Sequence, residues 1–204
     1  MQTERAIDVF DSRSKGRATA LFMFDNASTH QKRPKDGLSA RYMPKKPTDG
    51  WMNPKSNARM RDGSLPDSSR QSFYFEDDHV QYPGFFKGME IIIRERGLWP
   101  EGGLRSSCPG FKCPEGQMNC CCRRLLFTQP DFMAQKSALE ELITSRGHLC
   151  DFYPKFHCEL NFIEMYWGAA KLRYRATPKT SSTAEMRKNM KECLDNVPKE
   201  QILR

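Results

Sequence analysis

Residues 150–175 read CDFYPKFHCELNFIEMYWGAAKLRYR, and the order of chemistries along this stretch sets the expectation for the fold. The run His148–Tyr153 reads as a short strand ended by Pro154, and a polar loop follows. An amphipathic helix then opens at Asn161-Phe-Ile-Glu164, with Ile163, Tyr166, Trp167, Ala170 and Tyr174 along one stripe. Far upstream, Ala20-Leu-Phe-Met-Phe24 is continuously apolar rather than alternating, which predicts a fully buried strand. It empties into Asp25-Asn-Ala-Ser-Thr-His30. Strands separated by helical patterns predict an α/β fold.

Working outward, residues 3–13 predict a short helix with Ala6, Val9 and Phe10 on one side and Gly16 beyond its end. Residues 31–72 are dominated by Lys, Arg, Pro, Gly, Asp and Ser, and predict a long basic loop. A helix is expected over 84–96, with Phe85, Met89, Ile92 and Ile93 inward and Gly97 as its stop. Residues 103–124 show neither helical nor strand period. A helix is predicted over 131–146, presenting Phe132, Leu139, Leu142 and Ile143 and closed by Gly147. Ser182-Thr-Ala-Glu185 is a capping box for a last helix with Met186, Met190, Cys193 and Val197 on its stripe. These patterns divide the chain into 1–30 and 131–204 as the two parts of an α/β core, 31–83 as a basic insertion, and 84–130 as a helix with a cysteine-rich insertion.

The 204 residues suffice for one domain, or one with an appended module. A net charge of +8 and a pI near 9.1 favour a polyanionic partner, nucleic acid first. No apolar run approaches the roughly 18 residues a membrane span needs. The charged, amphipathic beginning MQTERAIDVFDSRSKGR is unlike a secretory signal. Eight cysteines without such a signal point to a reducing compartment, where metal binding outranks disulfides.

Two kinds of metal chemistry fit these residues. Phosphodiester cleavage uses divalent ions roughly 3.5–4 Å apart, held by carboxylates from separate elements. Asp25 at a strand exit and Glu164 on a helix's first turn are candidates for Mg²⁺ or Mn²⁺. Each also has a plain structural reading: Asp25 as an Asx turn, Glu164 as the partner of the Asn161 cap. His30 and His157 read as packing or hydrogen-bonding residues. Separately, Cys108, Cys113 and two of Cys120, Cys121 and Cys122 could supply four thiolates to zinc. Adjacent cysteines rarely share one ion, so Cys108, Cys113, Cys120 and Cys122 form the expected set. His148, Cys150, His157 and Cys158 could add one or two ligands. Arg123 and Arg124 suit a phosphate backbone, as do Lys171, Arg173 and Arg175 on the Glu164 helix. The run Lys32, Arg33, Lys35, Arg41, Lys45 and Lys46 could neutralise phosphates in a salt-sensitive way, and reads equally as a solvated positive loop.

Asp25-Asn-Ala-Ser-Thr-His30 resembles the second-aspartate motif of mariner-type transposases. Tyr153-Pro through Glu159-Leu-Asn161-Phe-Ile-Glu164 to Trp167 and Lys171 resembles their third-acid motif, with Phe162 where the family usually has Pro. The chain is similar to the transposase-derived DDE-endonuclease-like proteins of fungal genomes. The resemblance implies a partial RNase H-like core, metal-dependent DNA cleavage and strand transfer, with Asp25 and Glu164 as metal-binding catalytic acids. It also implies origin in a transposable element, DNA as partner and a nuclear location, the cytoplasm being the alternative. Two departures stand out. The family's first aspartate and its strand have no counterpart upstream of Asp25, where Asp8 and Asp11 fall on a predicted helix. Asp25 and Glu164 are also 164 − 25 = 139 residues apart, against a few tens in the family. A truncated, inactive relative is therefore expected; the alternative is a non-enzymatic zinc module that binds DNA or protein.

Overall fold

The structure is a computed structural model and describes residues 2–155, 157 and 162–198. In chain order its elements are α1 (Gln2–Ser14), β1 (Leu21–Phe24), β2 (Gly63–Ser64), β3 (Arg70–Gln71), α2 (Gly88–Glu95), α3 (Cys122–Phe127), α4 (Pro130–Met133), α5 (Ala138–Ser145), β4 (Leu149–Phe152), α6 (Phe162–Ala176) and α7 (Thr183–Asp195). One 3₁₀ turn, Pro109–Phe111, precedes α3. The described residues thus form a mixed α/β protein with two small sheets. The chain divides into two compact units, one of residues 1–31 and 139–204, the other of 32–138.

In the first unit β1 and β4 run parallel, with Leu21 opposite Leu149 and Phe24 opposite Phe152. The pairing extends to Leu149 N–H donating to the Ala20 carbonyl and Tyr153 N–H to that of Phe24. A small core of Ile7, Leu139 and Ile143 packs with Phe22, Phe24, Leu142 and Cys150. On α1 the buried face is not the one that carries Ala6 and Val9. Ile7 is fully buried, whereas Val9 is 46% exposed and Ala6 also faces solvent. The face is set by Asp8 and Asp11, which both bond Arg146, while Asp11 also bonds the buried His148. β1 is not fully buried, against expectation: Leu21 is exposed, and among the described residues β4 is the one strand paired with it. Ser182 caps α7 by accepting from the Glu185 amide, as the capping box predicts. Tyr166 on α6 donates to the Leu194 carbonyl on α7, but Trp167, expected in the core, is 45% exposed.

The second unit holds the larger core, centred on Phe73, Phe86, Met89, Ile92, Ile93, Leu126 and Phe132. The basic stretch expected to be a solvated loop belongs to it. Leu38, Ala40, Met43 and Met60 are buried there, and Trp51 lies 4.2 Å from Phe86, ring to ring. Its apolar residues are spaced irregularly, so they leave no period, yet each meets a distant partner. The carbonyls of Pro44 and Lys45 accept from the amides of Met89 and Glu90, satisfying donors that the first turn of α2 would otherwise leave open. Lys45 then reaches Glu90 and the Trp99 ring. Buried beneath α2, Arg96 makes a two-pronged bond to Asp131 at 2.7 and 2.9 Å. Its Nε donates to Gln71, whose amide donates to the Ile92 carbonyl and to Glu95. The helix predicted over 131–146 is two helices, α4 and α5, broken across Ala134–Ser137. Phe132 packs in this core, whereas Leu139 and Ile143 pack in that of the first unit. The Ala138 amide donates to the Lys32 carbonyl at 2.8 Å, so this unit's two ends meet.

Candidate metal centre

Four thiols converge in the second unit. The sulfurs of Cys108, Cys113, Cys120 and Cys121 all lie within 4.8 Å of one another. Cys108 and Cys120 are 3.6 Å apart, Cys113 and Cys121 3.9 Å. Zinc–sulfur bonds of about 2.3 Å in a tetrahedron give sulfur–sulfur edges of about 3.8 Å, which these spacings match. They are far from the roughly 2.05 Å of a disulfide. The donor set is all sulfur and closed, the kind that holds a structural metal such as zinc.

Local structure explains which cysteines converge. Gly110, with φ of +59°, turns the chain after Cys108 so that Cys113 comes back to it. Cys121 is extended and caps α3, its sulfur accepting from the Arg124 amide at 3.4 Å. Cys122 is therefore the first helical residue and points into the core, 3.9 Å from the Leu104 carbonyl. The expected ligand Cys122 is thus replaced by Cys121, and the adjacent pair Cys120–Cys121 does converge. The sequence signal that could have found this is the helix start itself, since a residue in the first turn facing an apolar core is not free to turn outward.

Burial and crowding shift these thiols in opposite directions. Burial, then the sulfurs of Cys108, Cys113 and Cys121, push the Cys120 thiol up to about 12. Cys108 is raised as well, by burial first. Burial would also raise Cys121, but the amides of Arg124 and Cys108 and the neighbouring thiols bring it below the ordinary range. Crowded thiols of this kind stay protonated until a metal displaces the protons. Burial pushes Cys122 up to about 11, in keeping with a core residue.

The arginines expected on a phosphate backbone are drawn into this centre. Arg123 donates to the Phe111 carbonyl at 2.9 Å and to the Cys113 sulfur at 3.3 Å. Arg124 donates through Nε to the Gln117 carbonyl. On α6, Lys171 and Arg175 are exposed, while Arg173 reaches the Ala169 carbonyl.

The carboxylates are placed differently. Asp25 leaves β1 and accepts from the Ala27 amide at 3.0 Å, the Asx-turn geometry, and bonds His30 Nδ1 at 2.6 Å. Since His30 Nδ1 faces only oxygens of Asp25, it carries the proton. Asn26 donates to the Tyr153 carbonyl, tying the exit of β1 to that of β4. Glu164 stands exposed on the first turn of α6. Neither acid belongs to a group of three or more converging metal-ligating side chains among the described residues. Glu159, Asn161 and Cys158 lie outside the described residues. His148, considered as a zinc ligand, has Nε2 bonded to Asp11 and Nδ1 to the Ala20 amide, so both nitrogens are engaged. Comparison of the chain with family models, curated proteins and solved structures gives no match.

Proposed function

We propose that this chain is a transposase-derived, DDE-endonuclease-like protein that binds DNA without cutting it. The observation that carries the reading is the Asn26–Tyr153 contact, which joins the two motif-bearing segments although 127 residues separate them. Asp25 stands at the exit of a strand whose parallel neighbour feeds the Glu164 helix, the order that a partial RNase H-like core requires. The unit between them then sits as an insertion whose two ends meet. Cleavage needs more acids than converge among the described residues: Asp25 is engaged by Ala27 and His30, and a two-metal mechanism requires bridging carboxylates.

A supercoiled plasmid incubated with the protein and Mg²⁺ or Mn²⁺ tests this directly. The expected result is retarded migration with the plasmid still supercoiled. Relaxed product that Asp25→Asn abolishes would contradict the absence of cutting, and no retardation at low salt would contradict DNA binding.

A second reading rests on the four converging sulfurs: a non-enzymatic zinc module in which the metal fixes the segment from Cys108 to Phe127. The two readings concern different units and are compatible. Zinc would be held by Cys108, Cys113, Cys120 and Cys121, with Arg123 offsetting the excess negative charge of four thiolates.

A further inference from the structure

The second unit carries a chain of three hollows linked by shared residues. The first, about 280 Å³, is lined by Lys32, Arg33, Lys35 and Lys55 together with Tyr42 and Ser56, and by no carboxylate. Arg33 also lines the second, of about 280 Å³, with Arg41 and Arg123. Phe111, Arg123 and Phe127 pass from that one into the third, of about 460 Å³, where Lys112 and Arg124 join them and Glu115 is the single acid.

Three observations say what would fill this track. First, the cations lack counter-charges: none of Lys32, Arg33, Lys35 and Lys55 forms an ion pair among the described residues, and neighbouring Asp36 is committed to Arg61. Burial accordingly draws the Arg33 pKa down. Second, Ser56 Oγ and Arg123 Nε are the two buried side-chain polar atoms without a hydrogen-bond partner among the described residues, and both residues line the track. Third, two rings stand exposed between the cations, Phe111 at 49% and Phe127 at 45%. Each has a guanidinium over it, Arg123 at 5.0 Å and Arg124 at 5.9 Å, leaving ring surface open to solvent. Phe111 holds this position with a φ of +59°, a backbone region costly for any residue but glycine.

Cations that track a backbone, interleaved with open aromatic faces, are the physical requirements for holding a single strand whose bases are unstacked. We infer that the 32–138 unit binds single-stranded DNA along this track, phosphates on Lys32, Arg33, Lys35 and Lys55 and bases on Phe111 and Phe127. The inference rests on the DNA-binding reading above, and it moves the contact from the arginines of α6 to residues of the second unit.

The test is fluorescence anisotropy of the full-length protein with a labelled oligo(dT) of about 16 nucleotides, and with a duplex of equal length. Salt is varied between about 50 and 200 mM. Wild type is expected to prefer the single strand. Phe127→Ala, alone and with Phe111→Ala, should weaken that binding about tenfold or more, leaving the duplex unaffected. Lys35→Ala and Lys55→Ala, both exposed, should each lower the logarithmic salt slope by about 0.7. Oligo(dT) binding indifferent to all four substitutions overturns the track. A protein that binds duplex and ignores oligo(dT) overturns the inference but leaves the DNA-binding reading standing; one that binds neither removes both.

Discussion

Arg96 is where one side chain organises most of the second unit. Its guanidinium is 1% exposed, and it joins Asp131 on α4 to Gln71 on β3 and, through Gln71, to α2. Burial would raise the Asp131 carboxyl, but the Arg96 side chain, the Ser64 amide and the Arg96 charge hold it below the usual carboxylate range. A carboxyl lowered by folding stabilises fully above its unfolded value near 3.9, and that contribution fades as pH falls through the lower folded value. Arg96→Met strands a buried carboxylate and should cost about 3–5 kcal/mol at pH 7. Urea unfolding at pH 7 and pH 3 checks this: the deficit should shrink on acidification, because the stranded Asp131 then protonates. At this scale the sequence was legible in composition and blind in pairing. It showed that thiols cluster near residue 120, yet choosing Cys121 over Cys122 required knowing where α3 starts and which way its first residue faces.

Elements follow the same division. The core positions Met89, Ile92 and Ile93 of α2 were readable because a 3.6-residue period and a following glycine are local signals. The single helix expected over 131–146 failed because its apolar period runs on through a break, with the two halves packing in different cores. The start of α2 was also beyond local reading, since its first amides are satisfied by Pro44 and Lys45. Gly88 makes that approach possible: at φ +82°, a Cβ would sit 2.5 Å from the Lys46 carbonyl carbon. Gly97, at φ +69°, has nothing within 4 Å of such an atom. Gly97→Ala should therefore cost the backbone term alone, about 1–2 kcal/mol, and Gly88→Ala distinctly more. Equal urea midpoints for the two variants would show that the contact with Lys46 does not govern the docking of α2.

For the whole molecule, the residues between Asp25 and Glu164 include a compact unit of their own, 32–138. The basic stretch within it was misread because irregularly spaced Leu38, Ala40, Met43 and Met60 find their partners only through distant contacts. Its organising feature is the four-sulfur centre, around which the segment from Cys108 to α3 is arranged. A metal there should release protons on binding and bind more weakly as pH falls, since at least Cys108 and Cys120 must lose theirs. The most direct measurement is the zinc content of purified protein, wild type beside Cys121→Ser and Cys122→Ser. One zinc per chain in wild type and in Cys122→Ser, with loss in Cys121→Ser, is the predicted result. Zinc kept by Cys121→Ser and lost from Cys122→Ser, or no zinc in the wild type, would contradict it.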